Sequence, residues 1–428
     1  MDAKRLAGRG GWIVYRLIAN YWMLAVTATV LALPAALALL WLDRAGATQW
    51  LLAHGLSPVA TADTAKDFVG VAAGVNGAFI TLYFSITLIV LSMAAGNLGV
   101  RLIDRWLKRR LIRVSLAGLS FTLVVSLVAM MAVDAEAQLP DTPLLLVATV
   151  LALQIVNIAM LAVSLHGLGR TMFVDDSIDR ICNDACSRTL ELQSRPSTGQ
   201  SARYTLYAPQ EGYIESIDIE RLKDRLAERS CRVILHAAPG QHVMKGELLM
   251  SSDSQFDSDE FINLFPIGPF RSDNQGVAFR IRLIVEIAAR ALSPAINDFY
   301  TALTCADKLA AVMESQTGTW VDRSMAPVCG DAPWLELRGQ DFRGLFQDPL
   351  SAFRQAACQY PSVSIRMIDN YGRLARRRDG NEDADELLAF LRNCAHDLAE
   401  HAASVAQYDG DQHDIQAAYA RHFETGNG

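Results

Sequence analysis

Four apolar stretches, at about 19–42, 68–95, 111–133 and 143–166, constrain this chain more than anything else in it. A helix rising about 1.5 Å per residue needs roughly 20 apolar residues to cross the hydrocarbon core of a bilayer. Each stretch meets that length, and together they account for a 51% hydrophobic content. Beyond residue 170 apolar and charged residues alternate in the ordinary globular way. The expected fold class is therefore a membrane α-helical part of four transmembrane helices. Behind it comes a cytoplasmic α+β domain with a small β-barrel-like module and a C-terminal helical region. The expected domains are 1–170 (transmembrane), 171–200 (linking helix), 201–265 (β-rich module) and 266–428 (mainly helical). The first stretch follows Lys4, Arg5, Arg9 and Arg16 but is too long for a signal-peptide core, so a retained anchor is expected, with a kink at Pro34.

Basic residues set the expected orientation. Arg101, Arg105, Lys108, Arg109 and Arg110 crowd the second loop, whereas Asp134 to Thr142 contains no Lys or Arg. The second loop is read as internal and the third as external. Both termini then fall on the cytoplasmic side of an inner membrane. All seven cysteines lie after the last apolar stretch, which suits a reduced compartment. A net charge of −7 argues against a nucleic-acid partner.

Small and hydroxylated residues recur at helical spacing in two spans: Gly70, Gly74, Gly77, Thr81 and Ser85 in the second, and Ser115, Gly118, Thr122 and Ser126 in the third. Such stripes let helix backbones approach closely where lipid supplies no hydrophobic drive. They also suit the wall of a water-filled path. Asn76, Gln154 and Asn157 are polar at membrane depth and need partners, for which interhelical hydrogen bonds are expected.

In the C-terminal half, Thr171 to Arg195 reads as a helix continuing the fourth span, and Pro349–Gln359, Pro361–Arg377, Asp383–Gln407 and Asp411–Phe423 read as helices separated by Pro361 and by Asp379-Gly380-Asn381. Short alternating runs between Tyr204 and Met250, bounded by Gly and Pro, read as strands. The turn Pro239 to Glu247 looks like a loop of the biotinyl and lipoyl barrels. The setting of Lys245 departs from their attachment motif, so a structural turn is expected. Cys182 and Cys186, four apart, share a helix face, as do His396 and Glu400; a metal site and simple i,i+4 pairing both fit these spacings.

An amphipathic helix over 275–291 leads into Arg290-Ala291-Leu292-Ser293-Pro294-Ala295-Ile296-Asn297-Asp298, where Pro294 breaks the helix and Asn297 or Asp298 caps the next. With Thr301-Ala302 and Asp307 this segment resembles the uncharacterised bacterial membrane proteins grouped as domain of unknown function 2254. Gly212-Tyr213-Ile214 with Asp218, Pro239-Gly240 with Val243 and Gly246, Gly268, Arg271, Phe279, and Ser85-Ile86-Thr87-Leu88 with Arg101-Leu102 extend the likeness over most of the chain. The resemblance implies a membrane protein but carries no activity with it. The chain departs from the family pattern at Gly276, where an Asp is usual, and at Phe299, where a Pro is usual. Arg290, Ser293, Pro294, Asn297, Asp298 and Thr301 either bind an anion at the helix start or lock the helix–turn–helix.

No nucleophile–base set, phosphate-cradling Gly loop or His-Glu-x-x-His spacing occurs, so the expectation is a non-enzyme without cofactor or metal. The sequence is read first as a homo-oligomeric channel or transporter for a small ion or solute with a cytoplasmic gating domain. The alternative is a membrane-anchored signalling or scaffold protein whose cytoplasmic domain binds a ligand or partner.

Overall fold

The computed structural model describes residues 22–98, 110–170, 174–187, 191–196, 203–226, 231–271, 273–378 and 385–424. The basic residues before the first span and most of those in the second loop lie outside them, as do 171–173 and the turn formers at 197–201. The chain divides into two compact units, one essentially up to Phe173 and one from Val174 onward.

The first unit contains α1 (Met23–Leu42), a π-helical turn at Asp43–Ala47, α2 (Thr48–Ala53), α3 (Ala62–Leu98), α4 (Arg110–Ala132) and α5 (Leu144–Arg170). Four helical segments, Met23–Ala53, Ala62–Met93, Arg110–Ala132 and Leu144–Gly167, are long and apolar enough to cross a membrane. Alanines and valines of all four, including Ala36, Ala65, Val125 and Val147, close one end of the bundle core. Tyr83, Leu116, Leu119 and Leu161 fill the other. Pro34 sits inside α1, where the helix continues through it.

The second unit opens with α6 (Val174–Cys186), whose Ile178, Ile181 and Cys182 are buried. The helix expected to reach Arg195 ends there, and β1 (Leu192–Pro196) follows. Its strand state comes from pairing with a partner more than 120 residues away, which no local pattern announces. Next come β2 (Tyr204–Tyr207), β3 (Gly212–Ile214), α7 (Ile219–Leu226), β4 (Val233–Leu235), β5 (His242–Val243), β6 (Leu248–Ser252), α8 (Ser258–Phe261) and β7 (Ile267–Gly268). The rest comprises α9 (Val277–Ala291), α10 (Phe299–Ser315), β8 (Met325–Cys329), β9 (Ala332–Leu337), α11 (Phe342–Ala357), α12 (Pro361–Arg376), α13 (Asp385–Val405) and α14 (Asp409–Phe423).

The strands form an open six-stranded sheet in the order β1-β8-β9-β4-β6-β2 and a separate three-stranded sheet β5-β3-β7. Among the described residues there is no closed barrel, so the expected barrel-like module is not found. Strand β4 takes β9 as its parallel neighbour, so the sheet grows outward into a hairpin from the helical region instead of curling shut. Leu206, Ile214, Leu222, Val233, Leu235, Leu249, Phe265 and Leu335 form the core beneath these strands.

Helix α9 is buried along most of its length, Phe279, Ile281, Leu283, Ile284 and Ile287 included, and packs against α6, α10 and α11. Helix α11 begins seven residues before the expected start at Pro349. Phe342, Phe346, Pro349, Leu350, Phe353 and Ala357 form one buried face with helical period, and Asp341 stands at its N-cap.

Candidate functional site

The two small-residue stripes have different surroundings. On α4, Ser115, Thr122 and Ser126 are buried, Ser115 hydrogen-bonds Ser164 of α5, and a Cβ at Gly118 would lie 2.6 Å from Met160. That stripe is the α4–α5 packing surface. On α3, Gly74, Thr81 and Ser85 are exposed, and a Cβ at Gly70, Gly74 or Gly77 would meet nothing within 4 Å. Thr81 and Ser85 donate their hydroxyls back to Gly77 and Thr81 carbonyls, at 3.0 and 2.9 Å. Within one chain the stripes therefore do not line a common path. Asn157 donates to Asn76 Oδ1 at 3.4 Å, an interhelical bond between buried amides.

The loop Arg290 to Thr301 closes on its own backbone. Ile296 and Asn297 N–H groups donate to the Ser293 carbonyl at 3.0 and 2.9 Å, and Asp298 N–H donates to Ala291 at 2.8 Å. Asn297 adopts φ 50, the left-handed region that Asn tolerates better than most side chains. Asp298 accepts from Thr301 N–H at 3.1 Å and from its hydroxyl at 2.6 Å, so its carboxylate occupies the start of α10. Arg290 is half-buried, Ser293 Oγ donates to its carbonyl at 2.7 Å, and Pro294 is exposed.

The remaining motif residues are engaged locally. The Cys182 and Cys186 thiols, 3.9 Å apart, donate to the Lys308 and Ala311 carbonyls of α10. Burial, with Cys186 alongside, pushes Cys182 up to about 12. Lys245 is exposed in the β5–β6 turn, and His396 pairs with Glu400 at 3.5 Å.

A different set of residues surrounds a cavity of about 380 Å³ in the second unit. One wall is the Pro239–His242 turn, a second is the start of α9 with Arg271, Gln275 and Arg282, and a third is α11 with Asp348 at its rim. Gly240 has φ 85, and a Cβ there would stand 3.2 Å from the Arg282 guanidinium and 3.4 Å from the Gln275 amide. Glycine thus permits the turn and the approach together. Arg282 Nη1 donates to the Gly240 carbonyl at 3.0 Å. Arg271 is exposed, its guanidinium 5.1 Å from the Tyr213 ring centroid. Burial, then the nearby positive charge of Arg271, hold Arg282 below the ordinary arginine range.

Gly276, at the N-cap of α9 with φ 67, offers no side chain to the first N–H groups of this 15-residue helix. Those groups are the unsatisfied donors of any helix start. Gln275 is only 3% exposed, and among the described residues neither end of its amide has a hydrogen-bond partner. Gln340, 5% exposed on the same cavity, leaves its Nε2 donor likewise unpartnered. Sequence reasoning singled out Gly240 and Arg271 but missed Gln275, Arg282, Gln340 and Asp348. They come from separate segments, so no short spacing links them.

Uncharacterised proteins of Mycobacterium bovis and Mycobacterium tuberculosis are each 29% identical to the protein over 279 residues, covering 58% of this chain and 52% of theirs. The matched region thus spans about half the length of these curated relatives. No solved structure matches. A model of predicted membrane proteins, domain of unknown function 2254, matches residues 19–372, and the chain belongs to that family.

Proposed function

We propose that this protein is a membrane-anchored receptor for a small polar ligand, non-catalytic, with the ligand taken up by the cavity beside the start of α9. The carrying observation is the convergence on one cavity of two guanidiniums and a buried glutamine amide that has no partner among the described residues. Buried polar groups are ordinarily hydrogen-bonded, and one left open on the wall of a cavity is placed to bond a ligand there. At about 380 Å³ the cavity suits a small molecule rather than a chain segment. The basic residues of the amino-terminal segment and of the second loop favour an inner-membrane protein with both termini on the cytoplasmic side. The receptor reading is tested by thermal melting of the full-length protein in detergent against a mixed set of anionic, neutral and cationic small molecules. Stabilisation by one class, lost in an Ala278→Phe variant that fills the cavity, supports it; no stabilisation by any class overturns it.

A second reading, a conduit formed by several copies, draws on the outward stripe of α3. Glycines with open space above them and hydroxyls facing away from the bundle suit contact with another copy. Cysteine crosslinking at Gly74 and Thr81 in membranes tests this; efficient crosslinks with selective ion flux support it, and their absence removes it.

A further inference from the structure

Resting on the receptor reading, we infer that the cavity binds a phosphate monoester, its phosphoryl group held between the start of α9 and the guanidiniums of Arg271 and Arg282. The donors carried by residues lining the cavity are the N–H groups of Val277 and Ala278, the guanidiniums of Arg271 and Arg282, of which Arg282 gives Nη1 to Gly240, and the Nε2 amides of Gln275 and Gln340. They outnumber the lone pairs a single carboxylate presents, whereas a phosphoryl group has three terminal oxygens to receive them. The helix start adds roughly half a positive charge directed the same way. Two guanidiniums near one another on one cavity repel, and a dianion between them converts that repulsion into attraction.

The cavity also carries acceptors, and Asp348 lies close enough to Arg282 to favour its charged form. Asp348 presents a carboxylate at the rim, and Gln275 has an unpartnered Oε1 as well as its donor. These suit hydroxyl or amine donors on the body of the ligand. A bare inorganic anion would use only half of this arrangement, while a phosphorylated polyol or amine would use both. Asp348 also disfavours a ligand whose negative charge extends along its whole length.

The glycine at the α9 N-cap, Gly276, belongs to the same device. An acidic residue there would set a carboxylate at the start of α9, where Asp298 sits at the start of α10. Glycine leaves the α9 amides open to an external anion. The two helix starts are therefore used differently, one closed by its own chain and one available.

The experiment is titration calorimetry on the full-length protein in detergent with inorganic phosphate, glycerol phosphate, glycerol and choline, and with phosphatidic acid in nanodiscs. Binding of glycerol phosphate about tenfold or more tighter than inorganic phosphate, with no response to glycerol or choline, is the expected result. Arg271→Gln, on an exposed side chain, should weaken it about tenfold or more. Ala278→Glu, which adds a helix-favouring acid at the α9 start, should abolish binding while the melting temperature holds or rises. Saturation by phosphatidic acid alone keeps the phosphoryl chemistry and makes its source a lipid headgroup. Binding of neutral or cationic molecules with none by any phosphate overturns this inference and leaves the receptor reading standing. Silence from every probe removes both.

Discussion

The carboxylate of Asp43, in the turn after α1, accepts hydrogen bonds from the Leu145 and Leu146 N–H groups at the start of α5, at 2.9 and 3.1 Å. Thr48 completes the arrangement: its hydroxyl lies 2.8 Å from Asp43 and accepts from Leu144 N–H at 3.2 Å. Three of the orphan donors at the α5 start are thus satisfied from another helix. Asp43 is 5% exposed, so its charge has the helix start in place of water.

Removing that carboxylate leaves two N–H groups, those of Leu145 and Leu146, short of partners, while Leu144 keeps the Thr48 hydroxyl. Asp43→Ala should destabilise the bundle by about 2–3 kcal/mol, and Asp43→Asn, which keeps one acceptor, by less. Reversible unfolding in mixed detergent micelles measures both. Equal stability of Asp43→Ala and the native protein would show that the cross-helix cap contributes nothing.

Helices α12 and α14 meet at Gly372, where a Cβ would fall 2.3 Å from the His422 ring. His422 is fixed on its other side, 2.7 Å from Asp369 and 2.6 Å from Arg376. It has little room to retreat. Gly372→Ala should therefore cost about 1–3 kcal/mol despite raising helix propensity. Chemical denaturation of the two proteins decides the sign; a more stable variant would mean that α14 shifts freely.

His236 gives the second unit a pH dependence. Burial, then the charge of Arg338, depress its pKa below the ordinary histidine range, partly offset by Glu336, and its Nε2 lies 2.7 Å from Ser251 Oγ. A histidine with a depressed folded pKa stays neutral while the unfolded chain takes up a proton. Stability is thus fully present above the unfolded value of about 6.5 and is lost as pH falls toward the folded one. The melting temperature should decline between neutral and mildly acidic pH, and less steeply in His236→Gln. Parallel pH profiles for the two proteins would exclude His236 as the cause.

How much of this was legible in the sequence depended on the range of the interactions. The four apolar helices and α9, α10, α12, α13 and α14 follow from periodicity and from breakers such as Pro294 and Pro361, all local signals. Strand β1 was not legible, because its state is set by pairing with β8 more than 120 residues away, and the joining of the hairpin β8–β9 to β1 and β4 was not legible because it too is made across more than 100 residues. The same pairing carries the sheet past the boundary at which a closed barrel was expected. The cavity was half visible: Gly240 and Arg271 stood out as motif residues, but Gln275 and Gln340 became informative only once their burial without partners was seen. A stripe of small residues, by contrast, reads identically whether it faces inward, as on α4, or outward, as on α3.

Asp298 separates the two uses of a helix start proposed for this chain. Among the described residues its carboxylate bonds only to Thr301 of its own helix, through both N–H and hydroxyl. An N-cap of that kind contributes about 1 kcal/mol, up to roughly 2. Asp298→Ala should lower stability by that amount and leave phosphate-monoester binding at the α9 cavity unchanged, since Asp298 is no part of that cavity. Arg271→Gln should show the reverse pattern, losing binding with little change in melting. If Asp298→Ala instead abolished ligand binding while the protein stayed folded, the loop from Arg290 to Thr301 would be the ligand site, and the assignment to α9 would fall.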